Sequence, residues 1–225
     1  MFNFPVTVID NFYTKPDEVR NFALQHNFFP TEKGYFPGRR TEGLDITNRK
    51  MFDWFCVRLF ALFYNIEMEP EIEWEVTSVF DLPSRDLRHG WIHTDNAHHF
   101  AGVVYLSPDE DLKAGTNLYQ KKGDYNIDTY VDEKERYYKE RTGLRHFLDV
   151  QTIHNSYFEE TLAVKNVYNR LVMYDSQYFH AHGDFTNIKE RLTQVFHVKI
   201  PKINNYPITK MKKHDNQLKY DIRKQ

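Results

Sequence analysis

The stretch EIEWEVTSVF, residues 71–80, alternates between charged and apolar side chains along its first half. Ile72, Trp74 and Val76 fall on one face and three glutamates on the other, which predicts a strand with one buried and one solvated face. β-Branched and aromatic runs bounded by Gly, Pro, Asp or Asn predict further strands. These runs are NFPVTVIDNF (3–12), WIHTD (91–95), AGVVYLS (101–107), NRLVMYD (169–175) and RLTQVFHVKI (191–200).

Two segments near the N-terminus have a helical pattern. The first, residues 14–26, begins at Thr14, which we expect to be the N-cap. The second runs from about 47 to 64 and carries a wide apolar stripe, so it is expected to back a sheet. Residues 34–43, GYFPGRRTEG, are predicted to form a loop. Dense mixed charge in residues 124–145 predicts a partly helical surface excursion between two strands.

Helices set against many short strands, without alternating β and α units, argue against a doubly wound parallel sheet. We expect a mainly β fold with flanking helices, whose core is a double-stranded β-helix of the jelly-roll or cupin-like type. The 225 residues fit a single domain. Its N-terminal helices, at about 14–64, would back the sheet, and a basic C-terminal tail would extend over about 202–225.

Composition excludes several classes of protein. The formal net charge of −2 gives no global field that would recruit nucleic acid, and a basic run in residues 206–225 is a weak alternative signal for it. The only cysteine, Cys56, allows neither a disulfide within the chain nor a cysteine-based zinc site. No stretch approaches the roughly 20 apolar residues that a membrane span needs, and the N-terminus lacks a signal-peptide pattern. We therefore expect a soluble, cytoplasmic protein.

The segment GWIHTDNAHHF, residues 90–100, concentrates histidines beside an aspartate. His93 and Asp95 are two positions apart, so in a strand both project to the same side. One nitrogen and one oxygen ligand begin the 2-His-1-carboxylate set that binds Fe(II) and leaves positions open. Taken by itself, the pair is more typical of a hydrogen-bonded histidine near a surface aspartate, so a metal site requires a further ligand from elsewhere in the chain.

A distant segment, YFHAH at residues 178–182, offers that third ligand, and either His180 or His182 could reach the metal from the same strand face. Arg191 and Thr193 follow on the next predicted strand. This combination resembles the pattern of Fe(II)- and 2-oxoglutarate-dependent oxygenases of the prolyl-4-hydroxylase-like or phytanoyl-hydroxylase-like kind. In that pattern a His-x-Asp pair is followed, after a long interval, by a distal His and then by an Arg or Lys.

The likeness extends over roughly residues 88–200 and includes the turn formed by residues 114–116, which is similar to a Gly-Gly-Thr turn of the family. It implies that His93, Asp95 and His180 hold the iron. The spacing to the following arginine and the tripeptide FHA favour His180 over His182.

The same resemblance implies how the cosubstrate binds. Arg191 would hold the far carboxylate of 2-oxoglutarate with a planar, two-pronged cation, and Thr193 would donate its hydroxyl to the same group. Tyr105 would add a phenol. O2 and 2-oxoglutarate would be consumed, succinate and CO2 released, and a C–H bond of a small-molecule or peptidyl substrate hydroxylated. The substrate stays open.

Other histidines have simpler interpretations. His98 and His99 should lie in a turn, exposed or hydrogen-bonded, and His197 should be a structural residue of the last strand. A second function is also compatible with the sequence: a non-catalytic jelly-roll protein that binds a metal or another ligand, in which Arg191 is ordinary surface charge. A closed zinc site of structural type would use four protein ligands, which the open set of three does not match.

Overall fold

The computed structural model describes residues 5–30, 38–63, 73–83, 87–108, 111–187 and 191–202. The predicted basic tail lies outside these residues, apart from its first position. The strands are β1 (Thr7–Ile9), β2 (Phe29–Pro30), β3 (Gly38–Arg40), β4 (Glu73–Pro83), β5 (Phe100–Tyr105), β6 (Thr116–Lys121), β7 (Phe158–Val164), β8 (Leu171–Asp175), β9 (Phe179–His182) and β10 (Thr193–Lys202). The helices are α1 (Pro16–Leu24), α2 (Leu44–Thr47), α3 (Arg49–Ala61), α4 (Val131–Glu140) and α5 (Leu144–Ser156).

The strands form two antiparallel sheets. Seven strands pair in the order β1-β8-β5-β10-β4-β3-β2, and three pair in the order β7-β6-β9. Strand β10 is hydrogen-bonded on both sides, and its Thr193 lies opposite Tyr105 of β5 and Asp81 of β4. This mainly β, two-sheet arrangement with flanking helices is the double-stranded β-helix core predicted from the sequence.

Helix α3 covers the outer face of the larger sheet. The ring of Phe55 packs edge-on against Phe12 and Phe196, with centroids 6.0 and 5.3 Å away. Phe60 stacks on Trp74 of β4 at 4.2 Å. Because successive residues of β10 face opposite sides, packing of Phe196 against α3 turns His197 toward the inner face of the sheet.

Helices α4 and α5 form a pair over the segment that precedes β5. Their apolar side chains enclose Leu87 and Trp91 in a cluster of their own, which includes Tyr137, Tyr138 and Phe147. The excursion predicted between residues 124 and 145 is thus partly helical, as expected. No helix among the described residues is long and apolar enough to cross a membrane.

Several local expectations are wrong. Helix α1 is capped at Lys15, not Thr14, and no side chain accepts a hydrogen bond there. Within the predicted loop, Gly38–Arg40 forms strand β3 and pairs with β4. The segment WIHTD is not a regular strand, because it contributes only one isolated bridge, between His93 and His180.

Candidate metal centre

Three side chains predicted to bind metal come together between the two sheets. Ligand atoms of His93, Asp95 and His180 all lie within 4.8 Å of one another. Reciprocal backbone hydrogen bonds of 3.1 and 2.9 Å join His93 to His180, so the bridge holds the two imidazoles side by side. Asp95 is fixed separately, by a 2.8 Å bond from its amide to the carbonyl of Ser176. The spacing of the three groups suits one ion held on a single face.

Hydrogen bonds determine which nitrogen of each histidine is free. His93 Nδ1 lies 2.7 Å from the carbonyl oxygen of Trp91, and His180 Nδ1 lies 2.9 Å from that of Tyr178. A carbonyl can only accept, so both Nδ1 atoms carry the proton and both Nε2 atoms keep a lone pair. The Nε2 atoms point at the carboxylate, 3.7 Å from Asp95 Oδ1 for His93 and 3.3 Å from Oδ2 for His180. Fixing the tautomer in this way prepares imidazole for a metal.

The electrostatics of the site also favour ligation. Burial lowers the pKa of His93 to about 3, and the neighbouring His180 adds to the shift, so the imidazole is neutral at physiological pH. Burial acts to raise the pKa of Asp95, but the neighbouring side chains of His180 and His197 outweigh it, and the pKa lies well below its usual range. Neutral imidazole and ionised carboxylate are the forms that bind a divalent ion.

His182, the alternative distal ligand, points elsewhere. Its ring stacks on Phe185 at 3.7 Å and its Nδ1 lies 3.0 Å from the carbonyl of Gly183. Burial and the nearby Arg191 lower its pKa to about 3. It lines the same cavity but is not a member of the three-residue group. The geometry therefore favours His180.

Arg191 lies buried at the deep end of the cavity. Its Nε donates to the carbonyl of Ala114 at 2.7 Å and its Nη2 to that of Gly115 at 3.3 Å. Its guanidinium carbon is 5.3 Å from the ring centroid of Tyr105 and 5.2 Å from that of Phe185. The ion pairs found among the described residues do not include this arginine. A buried guanidinium held by carbonyls and aromatic faces still needs an anion.

Thr193, the first residue of β10 and two positions after Arg191, adds a second unsatisfied group. Its side chain is fully buried, and within the described part of the chain its Oγ1 has no hydrogen-bond partner. Buried hydroxyls are normally paired, so an orphan beside a cation is a candidate donor to a ligand oxygen. Tyr105 is also fully buried, and its hydroxyl donates to Thr116 Oγ1 at 2.8 Å.

One histidine near the site was interpreted from the sequence as merely structural. His197 Nε2 lies 3.4 Å from Asp95 Oδ2, the oxygen that His180 also approaches, and the ring of His98 packs on it at 4.8 Å. The signal was present in the sequence: residues 193 and 197 are an even number of positions apart on one strand and so share a face. The alternation used for Thr193 applies equally to His197.

Helix α5 holds the ligand-bearing segment in place, which no sequence pattern indicated. Gln151 Nε2 donates to the carbonyl of residue 89 at 3.0 Å, and Asn155 bonds both the carbonyl of residue 90 at 2.9 Å and the amide of residue 92 at 3.2 Å. His154 Nε2 donates to the carbonyl of Ile92 at 2.8 Å, and its Nδ1 lies 2.9 Å from the hydroxyl of Tyr125. Together with the bond from the Gly90 amide to the carbonyl of His182, 3.2 Å long, these bonds hold the segment before His93.

We expect His154→Phe to weaken metal binding by about 10-fold, the lower end of the effect of removing residues that support ligands. The substitution keeps a ring against Trp91 but deletes the donor to the carbonyl of Ile92. His154→Gln restores an N–H donor of the same reach and should recover most of the affinity. Co(II) titration followed by absorbance measures both, with Thr152→Ala, on the exposed side of α5, as control. Wild-type affinity in His154→Phe would contradict this role.

A cavity of about 350 Å³ is lined by the three candidate ligands together with Arg191, His182 and His197. Its lining also includes Trp91, whose carbonyl oxygen lies 2.7 Å from His93 Nδ1, and Lys134 and Tyr138, which contact Trp91 or one another. The cavity therefore offers room for two ligands next to one metal position.

Comparison with solved structures identifies the fold. The chain aligns over 86% of its length with 82% of HygX from Streptomyces hygroscopicus, determined with nickel and 2-oxoglutarate bound, at TM-score 0.55 and 14% identity. It aligns over 91% with 94% of AviO1 from Streptomyces viridochromogenes, at TM-score 0.55 and 10% identity. A prolyl hydroxylase from Trichoplax adhaerens, in complex with a hypoxia-inducible-factor peptide fragment, aligns over 86% of this chain and 83% of its own, at TM-score 0.53 and 12% identity. The chain has the fold of the Fe(II)/2-oxoglutarate oxygenases.

A family model matches residues 3–191 and is described as a family of unknown function, DUF6445. Because this range is most of the chain, the protein belongs to that family. No curated protein is significantly similar to it in sequence.

Proposed function

We propose that the chain is an Fe(II)- and 2-oxoglutarate-dependent dioxygenase that hydroxylates an organic substrate. Iron would be held by His93, Asp95 and His180. Arg191 and Thr193 would bind the distal carboxylate of 2-oxoglutarate, with Tyr105 behind them. Residues 1–225 would act as a single oxygenase domain in the cytoplasm. The observation that carries the proposal is that the three-ligand group and the buried Arg191 line one cavity, with the orphaned hydroxyl of Thr193 two residues further along the chain.

The residues fit both groups. Three ligands on one side of an ion leave positions for a chelating 2-oxo acid and for O2. Arg191 has a planar donor set suited to a carboxylate. When bound, iron and 2-oxoglutarate supply the oxidising chemistry: one oxygen atom of O2 enters the substrate C–H bond, and the other enters succinate as CO2 leaves.

The protein's own part is positioning. The Nδ1 hydrogen bonds of both histidines orient their Nε2 atoms, and α5 fixes the backbone that carries His93. Burial of Arg191 in a site with little water strengthens its attraction for a carboxylate. Held in this way, the cosubstrate would extend from Arg191 to the metal. Its position would then fix how far the metal lies from a substrate bound in the rest of the cavity. No side chain is required to act as a general base.

A non-catalytic jelly-roll binding protein is the alternative. If it binds only a metal, it accounts for the three ligands but supplies no anion for the buried Arg191 and no partner for the hydroxyl of Thr193. HygX has been determined with hygromycin B bound and the Trichoplax prolyl hydroxylase with a peptide fragment, so the fold alone does not distinguish a small-molecule from a peptidyl substrate.

Reconstitution with Fe(II) tests the proposal. Protein loaded anaerobically with Fe(II) and 2-oxoglutarate is exposed to air, and succinate is measured by mass spectrometry against an iron-free control. Even without substrate, slow iron-dependent succinate formation is expected. Binding of 2-oxoglutarate is measured in parallel by calorimetry on the Ni(II)-loaded protein. Folded, metal-loaded protein that neither binds 2-oxoglutarate nor forms succinate would support the binding protein instead.

A further inference from the structure

Lys134 lines the cavity together with His93, Trp91 and Tyr138. It comes from α4, within the excursion between β6 and β7, and its ammonium lies 5.7 Å from the ring centroids of both Trp91 and Tyr138. The ion pairs found among the described residues do not include it. Burial lowers its pKa, and Asp95 is the first of the neighbouring charges that act in the opposite direction.

A charge balance of the loaded cavity singles out this lysine. Asp81 pairs with Arg40, whose Nε lies 2.8 Å from its Oδ1. Under the proposed function, the double positive charge of Fe(II) is offset by the two carboxylates of 2-oxoglutarate, and Asp95 offsets Arg191. One positive charge, that of Lys134, then has no counterpart. Partly buried charges are normally paired, so the loaded site lacks one anion.

We propose that Lys134 binds an anionic group of the substrate, a carboxylate or a phosphate monoester, and that Trp91 and Tyr138 contact an apolar part of the same molecule. This inference rests on the proposed function and names its substrate class. The geometry supports it, because Lys134 and His93 belong to the wall of the same cavity. An anion anchored there would place the adjoining carbon atoms near His93 and the metal.

The aromatic wall limits the shape of this substrate. Trp91 is buried by α4 and α5 and stacks on His154 at 4.3 Å, so its indole is held rigidly. Tyr138 is likewise buried. Flat, fixed apolar surfaces beside a single cation favour a compact molecule with one charged end and an unsaturated or aliphatic body.

Matched probe pairs test the inference without turnover. Protein loaded with Mn(II) and 2-oxoglutarate is titrated with phenylacetate or phenylacetamide, and separately with benzyl phosphate or benzyl alcohol. Paramagnetic broadening of the probe's proton signals reports binding near the metal. We expect at least one anionic probe to bind about 10- to 100-fold more tightly than its neutral partner, as for a hydrogen bond to a charged group. The pair that shows this preference distinguishes carboxylate from phosphate.

Variants assign the preference to Lys134. Lys134→Met should abolish it, Lys134→Arg should keep most of it, and Lys139→Met, at an exposed position of the same helix, should leave it unchanged. Thermal unfolding checks that each variant is folded. Equal binding by both members of each pair in the wild type, or a preference that survives in Lys134→Met, overturns the inference. Failure to load Mn(II) or 2-oxoglutarate contradicts the proposed function instead, so the two failures are distinguishable.

Discussion

Asp95→Ala is expected to abolish iron-dependent succinate formation and to lower the affinity for Fe(II) by about 100-fold or more. Removing a residue that only supports a ligand costs about 10- to 100-fold in metal affinity, so loss of the sole anionic ligand should reach at least the upper end. Without its carboxylate, the cavity presents neutral imidazoles alone to a divalent cation. Anaerobic Fe(II) titration and succinate formation in air measure the two effects. Asn96→Ala, an exposed neighbour, is the matched control.

The histidines extend this prediction to the choice of distal ligand. His180→Ala should lose metal affinity to a similar extent, whereas His182→Asn should stay close to wild type, because the His182 ring packs on Phe185, outside the three-residue group. The opposite pattern, with loss only in His182→Asn, would assign the ligand to His182. Wild-type iron affinity in Asp95→Ala would remove the basis for the proposed function.

Arg191→Met is expected to weaken 2-oxoglutarate binding by about 100-fold or more. Truncating one partner of a buried, hydrogen-bonded charge pair typically costs about 2–5 kcal/mol. Arg191→Lys keeps the charge but not the two-pronged donor geometry, so its affinity should be intermediate. Calorimetric titration of the Ni(II)-loaded variants measures the effect. Ni(II) affinity should be unchanged, since Arg191 is not among the candidate ligands, and this serves as the control for folding.

Thr193→Val tests the same pocket, because it should maintain or raise the unfolding temperature and at the same time weaken 2-oxoglutarate binding. The substitution removes a buried hydroxyl that has no partner within the described residues, so the ligand-free protein should unfold at the same or a higher temperature. The same substitution should weaken 2-oxoglutarate binding by about 10-fold, the effect of one hydrogen bond to a charged group. Tight cosubstrate binding in both Arg191→Met and Thr193→Val would mean that 2-oxoglutarate binds elsewhere.

The parts of the fold that could be predicted are those in which burial alternates. Strand β4 shows exposed glutamates between partly buried Trp74 and Val76, the pattern of its sequence. Strand β7 could not be found in this way, because Phe158 and Val164 are buried only at its ends and the five residues between them are exposed. An edge strand with so little buried surface leaves no periodic signal.

The metal ligands of the candidate site could be predicted, because the types of these residues and their spacing in the sequence indicate their chemistry. His93, Asp95 and His180 come together as the pattern predicted, although His93 lies on an isolated bridge and not in a regular strand. The hydrogen bond from the His154 side chain to the carbonyl of Ile92 joins positions 62 residues apart, and Ile92 contributes only its backbone. Such a contact depends on the fold and has no trace in local sequence. The position of Lys134 beside the cavity likewise follows from how α4 packs.

Strand β10 and the segment before β5 differ in how firmly the structure secures them. β10 has a hydrogen-bonded strand on each side, so its amides should exchange with solvent only when the whole molecule opens. The segment with His93 is held by one bridge, by single backbone bonds from Gly90 and Asp95, and by side chains of α5, so we expect it to open without disturbing the large sheet. Ions would then enter and leave through a local breathing motion of this segment, while the cosubstrate pocket keeps its shape.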